Sequence, residues 1–150
     1  MKTKIYLAGK ADLFEYRKYC IDTYSKWFEI VNPIKNDNEI IKNMTGFTPE
    51  EIIKDNIAIS DKAREKIVET DKYLIDECNF LVAYINEPSF GTAMEIAYAH
   101  DNGMCIFVIT TNNKILNDIW LSVHVYKYFD SIDRCFEWIK ANPNPDRMYR

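Results

Sequence analysis

Two carboxylates, Glu95 and Asp71, stand where a charge is costly unless it has a task. Glu95 ends the segment Asn86-Glu87-Pro88-Ser89-Phe90-Gly91-Thr92-Ala93-Met94-Glu95, which follows an apolar run and opens a helical pattern. It therefore sits about one turn into a helix at the edge of a sheet, where backbone N–H groups can receive an anion. The segment is not a Walker loop, because no Gly-Lys-Ser/Thr follows, and the four glycines are too dispersed for a dinucleotide fingerprint. Thr92-x-x-Glu95 also has the form of a capping box, and on this motif alone capping is the commoner role. Asp71 shifts the balance. It comes four residues after Ile67 and three before Leu74, on the inward stripe Ile67, Leu74, Ile75 and Cys78 of a helix. A carboxylate there needs a hydrogen bond, a local salt bridge or a polar cavity. Two carboxylates aimed at one end of a sheet suit glycosyl transfer, one attacking the anomeric carbon and the other handling protons at the departing group.

Other residues near that end have weaker claims. Tyr6 lies on the first strand, where a tyrosine is usually core with its hydroxyl reaching a partner. Lys10 and Arg17 flank the first loop and are candidates for a phosphate, with solvated surface charge as the commoner role for each. Ser89 can bond a sugar hydroxyl or a phosphate, although Pro-Ser is also ordinary turn chemistry. His100 and His124 are isolated in sequence, so no metal site is expected. Cys20, Cys78, Cys105 and Cys135 form no C-x-x-C pair and read as reduced core thiols of a cytoplasmic protein.

The elements that must position these residues alternate between strand and helix. Lys4–Ala8 reads as a first strand ended by Gly9, and Leu13 to Phe28 as a helix. Glu29-Ile30-Val31 is a short strand stopped by Asn32-Pro33, and residues 35–47 read as a long loop. Thr48-Pro49-Glu50-Glu51 starts a helix ending near Asn56–Ala58, and Ser60 caps another that runs to about Glu77. Phe80 to Ile85 and Cys105 to Ile109 are apolar throughout, as strands buried on both faces of a parallel sheet are. Between them Gly91-Thr92 opens a helix closed by Gly103. Ile115 to Leu121 reads as a short helix, Val123 to Phe129 as a final strand, and Ser131 as the cap of a last helix ended by Asn142-Pro143. The tail, Asn142 to Arg150, is either frayed or laid on a partner subunit. The expected fold is α/β: a doubly wound, flavodoxin-like five-stranded parallel sheet with helices on both faces, in one domain spanning residues 1–150. Ligands then bind beyond the carboxyl ends of the strands, at Ala8–Gly9, Asn32–Pro33, Asn86–Thr92 and Thr110–Asn113.

Composition narrows the function classes. A hydrophobic fraction of 47% supports a packed core, and 28% charged residues of mixed sign argue against disorder. No apolar run approaches the roughly 20 residues of a bilayer helix, and Met1-Lys2-Thr3-Lys4 leads into a strand rather than a signal peptide. A net charge of −4 speaks against binding polymeric nucleic acid but not against a small anionic ligand.

Taken together, these residues resemble the nucleoside 2-deoxyribosyltransferase family. The resemblance runs from Ile5-Tyr6-Leu7-Ala8-Gly9 through Val31-Asn32-Pro33 to the segment from Asp71 to Ala99. Its most specific part is Asp71, a buried strand, then Gly91-Thr92-Ala93-Met94-Glu95-Ile96-Ala97-Tyr98-Ala99. It implies that Glu95 is a nucleophile forming a covalent deoxyribosyl ester, that Asp71 contacts or protonates the base, and that Tyr6 stands beside the nucleophile. It also implies substrate contacts from Gly9, Lys10, Ser89, Gly91 and Met94, and from Asn117 reaching a neighbouring subunit's sugar site. The implied partners are a small nucleoside or nucleotide and a free nucleobase, within a homodimer or an assembly of dimers and with no cofactor. There are departures. Asn79 replaces an Asp common before the buried strand. Ser89 replaces an acidic residue of some nucleoside-specific members and resembles the serine of the related 2′-deoxynucleoside 5′-monophosphate N-glycosidases. Those hydrolases carry a glycine- and arginine-rich first loop that Gly9-Lys10-Ala11-Asp12 does not match.

The expected activity is transfer of deoxyribose between nucleobases. The alternatives are hydrolysis of a 5′-monophosphate and a catalytically silent nucleotide-binding module, with a flavodoxin-like electron carrier more remote.

Overall fold

Five parallel strands form one sheet in the order β2-β1-β3-β4-β5, in the computed structural model, which describes residues 1–145. Along the chain these are β1 (Thr3–Gly9), α1 (Phe14–Tyr24), β2 (Phe28–Val31), α2 (Pro33–Thr45), α3 (Pro49–Lys54), α4 (Asp61–Asp76) and β3 (Phe80–Tyr84). There follow α5 (Phe90–Asp101), β4 (Cys105–Ile109), α6 (Asn113–Leu116), α7 (Ile119–His124), β5 (Lys127–Phe129) and α8 (Ile132–Ala141). The strand order reverses between β1 and β3, the position at which doubly wound sheets open a crevice for ligands. Of the tail, residues 146–150 lie outside the described residues.

Strand alternation divides the core between the two faces of the sheet. Ile5, Leu7, Phe80, Val82, Phe107 and Ile109 point to one side, where Tyr16, Cys20 and Tyr24 of α1 and Cys135, Phe136 and Ile139 of α8 cover them. Tyr24 and Phe136 stack there with ring centroids 4.7 Å apart. Tyr6, Ala8, Leu81, Ala83, Ile106 and Val108 point to the other side, against Ile75 of α4 and Ile96 and Ala99 of α5. Each large side chain so buried stabilises the fold by roughly 1.5–3 kcal/mol. Tyr6 thus belongs to a core face, as strand tyrosines usually do, yet it directs its hydroxyl to the sheet's functional end. The β1–β3 register pairs Gly9 with Tyr84, so both strands finish at the same level.

The principal difference from the sequence reading is α2, a helix where residues 35–47 suggested a loop. Asn32 caps it by accepting from the N–H of Ile34, Pro33 takes the first position, and Gly46 ends it at φ 79°. The signals for both ends were present, but polar residues between scattered Ile and Met blurred the periodicity. The Leu13–Phe28 helix is shorter than read: it ends at Tyr24, because Phe28 pairs with Thr3 to begin β2. The Ile115–Leu121 helix is two short helices, the second capped by Asp118. The last strand keeps only Lys127–Phe129 of the expected Val123–Phe129, since His124 still closes α7. Thr48 makes the expected capping box with Glu51, and Ser60 and Ser131 cap α4 and α8. Cys20, Cys105 and Cys135 are buried and Cys78 is half-buried. No helix among the described residues is long and apolar enough to cross a membrane.

Candidate active site

Tyr6, Asp71 and Glu95 meet beyond the middle of the sheet, from β1, α4 and α5. The Tyr6 hydroxyl donates a short hydrogen bond to Oε2 of Glu95. This disposes of the capping role for Glu95: the N-cap of α5 is Ser89, whose side chain caps no N–H, and Thr92 is buried and donates to Ser89 Oγ at 3.1 Å. The glutamate is aimed across the sheet instead of back along its own helix.

A third carboxylate, Asp37, joins them from α2. Asp37 is absent from the residues that the sequence singles out, because the polar segment 35–47 reads as loop. Asn32 and Pro33 were the available signal, since a helix starting there places Asp37 one turn in, as α2 packs against β1 and α4. Asp37 and Asp71 each carry a buried Oδ1 with no donor among the described residues. Two ionised carboxylates cannot satisfy each other, so one of the pair must keep its proton.

Electrostatics assign that proton. Burial pushes Asp71 up to about 9, aided by the hydrogen bond to Asp37 and by the charges of Asp37 and Glu95, and opposed by Arg17. Asp37 is also raised by burial, but its hydrogen bond with Asp71 and the charge of Arg17 hold it down. Glu95 is pushed up to about 7 by burial, against the stabilising hydrogen bond from Tyr6. Tyr6 is raised far above the ordinary phenol range by burial and by the carboxylates, so its hydroxyl remains a donor. At neutral pH the cluster therefore holds a protonated Asp71, a Glu95 divided between its two forms, and a neutral Tyr6.

The balancing cation is Arg17. Far from being solvated, it is only 2% exposed, and it donates to the carbonyls of Leu7 (3.0 Å), Gly9 (2.7 Å) and Lys10 (3.2 Å). It ties down the end of β1 while lowering all three carboxyls, and its Nε, also buried, has no hydrogen-bond partner among the described residues. Gly9 turns the chain there at φ 148°, and a Cβ would stand 3.2 Å from both Leu13 Cδ1 and the Tyr84 carbonyl oxygen. Gly9 is thus explained by packing within the chain.

The remaining expected residues are distributed unevenly. Lys10 and Ser89 line one cleft of about 280 Å³ with Leu13, Asn86 and Glu87, and Lys10 is held by Glu87 at 2.6 Å. Asn86, exposed after β3, accepts from Thr110 Oγ1 (3.0 Å) and the Thr111 N–H (2.9 Å), joining the loops after β3 and β4. Gly91 and Met94 are exposed on α5, and nothing lies within 4 Å of a Cβ built on Gly91. Asn117 is exposed at the end of α6 and donates to the Asn113 carbonyl of its own helix instead of joining the carboxyl cluster. Asn79, the departure noted before β3, bonds twice to the Lys4 backbone and so extends the β1–β3 pairing.

No protein-family model and no curated protein sequence matches the chain. Solved structures do. A 2-deoxyribosyltransferase from the psychrotolerant bacterium Bacillus psychrosaccharolyticus matches with a TM-score of 0.66 at 14% identity, over 89% of this chain and 90% of that one. The CMP N-glycosidase of Clostridium botulinum matches with a TM-score of 0.54 at 15% identity, over 92% of this chain and 99% of that one. At such identities the likeness is one of fold. The chain folds as these two proteins do, and its fold is the one that the resemblance in its residues implied.

Proposed function

We propose that the protein breaks the N-glycosidic bond of a 2′-deoxynucleoside, or of its 5′-monophosphate, and passes the sugar to a second nucleobase. The observation that carries this reading is the cluster itself: a half-buried glutamate bonded to Tyr6, beside an aspartate that keeps its proton at neutral pH. In the first half-reaction an ionised Glu95 oxygen bonds to the anomeric carbon as the carbon–nitrogen bond breaks. The base leaves with the electron pair and takes the Asp71 proton. In the second half-reaction a nitrogen of the acceptor base attacks the anomeric carbon, Glu95 departs as carboxylate, and Asp71 recovers a proton from the acceptor. Tyr6 orients the nucleophile and Asp37 holds the proton on Asp71. A missing 2′-hydroxyl eases the developing positive charge, which favours a deoxy sugar.

A second reading, hydrolysis of a 5′-monophosphate, has its own support. Ser89 Oγ is not used as a helix cap and shares a cleft with Lys10 at the start of α5, where N–H groups favour an anion. In that reaction water takes the place of the acceptor base.

Assembly as a homodimer is also part of the proposal. Phe90 and Met94 of α5, and Ile119, Trp120 and Val123 of the contacting α7, are 64% to 89% exposed. Apolar side chains this exposed on adjoining helices suit burial against a second copy. Asn117, next to the cap of α7, would then be close to the partner. Light scattering is expected to give a dimer for the wild type and a monomer for Trp120→Glu; a monomeric wild type would overturn the assembly.

Each deoxynucleoside and its 5′-monophosphate, with and without a second free base, tests the chemistry by chromatography. Base exchange that Glu95→Ala abolishes is the expected result. Free base with water as the only acceptor would select the hydrolase, and no turnover of any substrate would refute both readings.

A further inference from the structure

His100 and His124, isolated in sequence, lie side by side in the structure with ring centroids 4.7 Å apart and planes at 63°. His100 is in the last turn of α5, about 7.5 Å along the helix from Glu95. His124 is the last residue of α7, and Asp101 is the last of α5. Each of the three side chains can offer one ligand atom, and those atoms lie within 4.8 Å of one another. We infer that His100, His124 and Asp101 form a binding site for one divalent transition-metal ion, of which Zn²⁺ is the best match.

Several features fit such an ion. His124 Nδ1 lies 2.7 Å from the Trp120 carbonyl oxygen, so its N–H donates there and the tautomer leaves Nε2 with a lone pair. A backbone carbonyl on the far nitrogen is the arrangement that orients metal-bound histidines. Both imidazoles are half-buried, which limits their rotation, whereas the Asp101 side chain is 76% exposed with its Oδ1 already 3.4 Å from His100 Nδ1. In a tetrahedral zinc site, ligand atoms about 2.1 Å from the metal stand about 3.4 Å apart. Small rotations, chiefly of Asp101, close the distance that remains. Two imidazoles and one carboxylate suit zinc better than the all-oxygen cations, and they leave a fourth position for water. The cation would also face the C-terminal turns of α5 and α7, where helix dipoles present negative charge. Its structural effect would be to pin α7 to α5.

The test uses chelator-stripped full-length protein, titrated with Zn²⁺ by calorimetry and with Co²⁺ by visible absorption. The expected result is one ion per chain, tetrahedral Co²⁺ bands, and a thermal midpoint that rises by several degrees with metal. Removing an orienting partner of a metal ligand costs about 10–100-fold in affinity, so removing a ligand should cost at least about 100-fold. His100→Ala and His124→Ala should each show that loss and no metal-dependent rise in midpoint. Asp101→Ala, at an exposed position, should lose affinity by at least about 100-fold as well, with the metal-free midpoint unchanged. Absence of binding to the wild type would overturn the site. Binding unchanged in both histidine variants, or a thiolate charge-transfer band pointing to half-buried Cys78, would move the metal elsewhere and overturn it equally.

Discussion

Replacing Glu95 by glutamine should make the protein more stable, and increasingly so as pH rises. In the folded chain the carboxyl is pushed from its ordinary 4.5 up to about 7, by burial above all. A raised acid binds its proton more tightly in the folded state than in the unfolded one. Between about pH 4 and pH 8 the folded form therefore holds more protons, and stability falls as pH rises through that window. The full shift corresponds to about 3 kcal/mol at pH 8.5. Glutamine fits the same space with no charge to desolvate and its carbonyl still accepts from Tyr6, while the bond that Tyr6 makes to the charged glutamate is already contained in the shift to about 7. The gain is therefore about 3 kcal/mol at pH 8.5, shrinking to nothing near pH 4. For a chain of this size that is a rise in midpoint of about 6–12 °C at the alkaline end. Thermal unfolding of both proteins at pH 4, 6 and 8.5 measures it, and the variant should be inactive throughout. A difference independent of pH, or a variant that becomes less stable than wild type as pH rises, would refute a desolvated nucleophile and mean that Arg17 and Tyr6 overcompensate burial.

Activity should follow a bell-shaped pH profile, rising as Glu95 ionises near 7 and falling as Asp71 loses its proton near 9. Asp37→Asn removes the like charge beside Asp71, so the falling limb should move down by roughly one pH unit; a limb that stays in place would remove Asp37 from the proton-holding pair. Arg17→Met removes the guanidinium's bonds to three carbonyls, of which that of Lys10 keeps a second donor, the Leu13 N–H, and leaves three carboxyls without a buried cation; it should cost roughly 3–5 kcal/mol in urea unfolding. A loss below about 1 kcal/mol would show that water replaces the guanidinium. Asn32→Ala should cost about 1 kcal/mol through the lost cap of α2 and lower activity along with stability, because α2 carries Asp37; unchanged stability would mean that packing against α4 alone holds the helix.

How far the sequence could be read differed from element to element, and the reason is range. Phe80–Tyr84 and Cys105–Ile109 were legible because a strand buried on both faces must be apolar at every position, a property each segment carries by itself. The same holds for Thr48, Ser60 and Ser131, whose capping bonds reach only three residues ahead. α2 was not legible. It packs against α4 and β1 yet fully buries only Pro33, and it carries Asp37 toward the carboxyl cluster, so no buried apolar stripe reveals the helix. Phe28 was assigned to α1 because its spacing fits a helix, and only the pairing with Thr3 makes it a strand residue.

For the site, sequence determined that Glu95 heads a helix after a central strand and that Asp71 interrupts an apolar stripe. Those two anomalies mark the pair as candidates. Tertiary structure decided what state they are in. Whether Glu95 caps its helix or faces Tyr6, whether Arg17 is solvated or buried, and whether Asp71 keeps a proton all depend on groups brought from β1, α1 and α2. Two histidines that share no local pattern became neighbours by the same route. Local backbone preference acts over a few residues and is written in their order, whereas desolvation and charge–charge interaction act through space, and take their values only once distant segments have packed together.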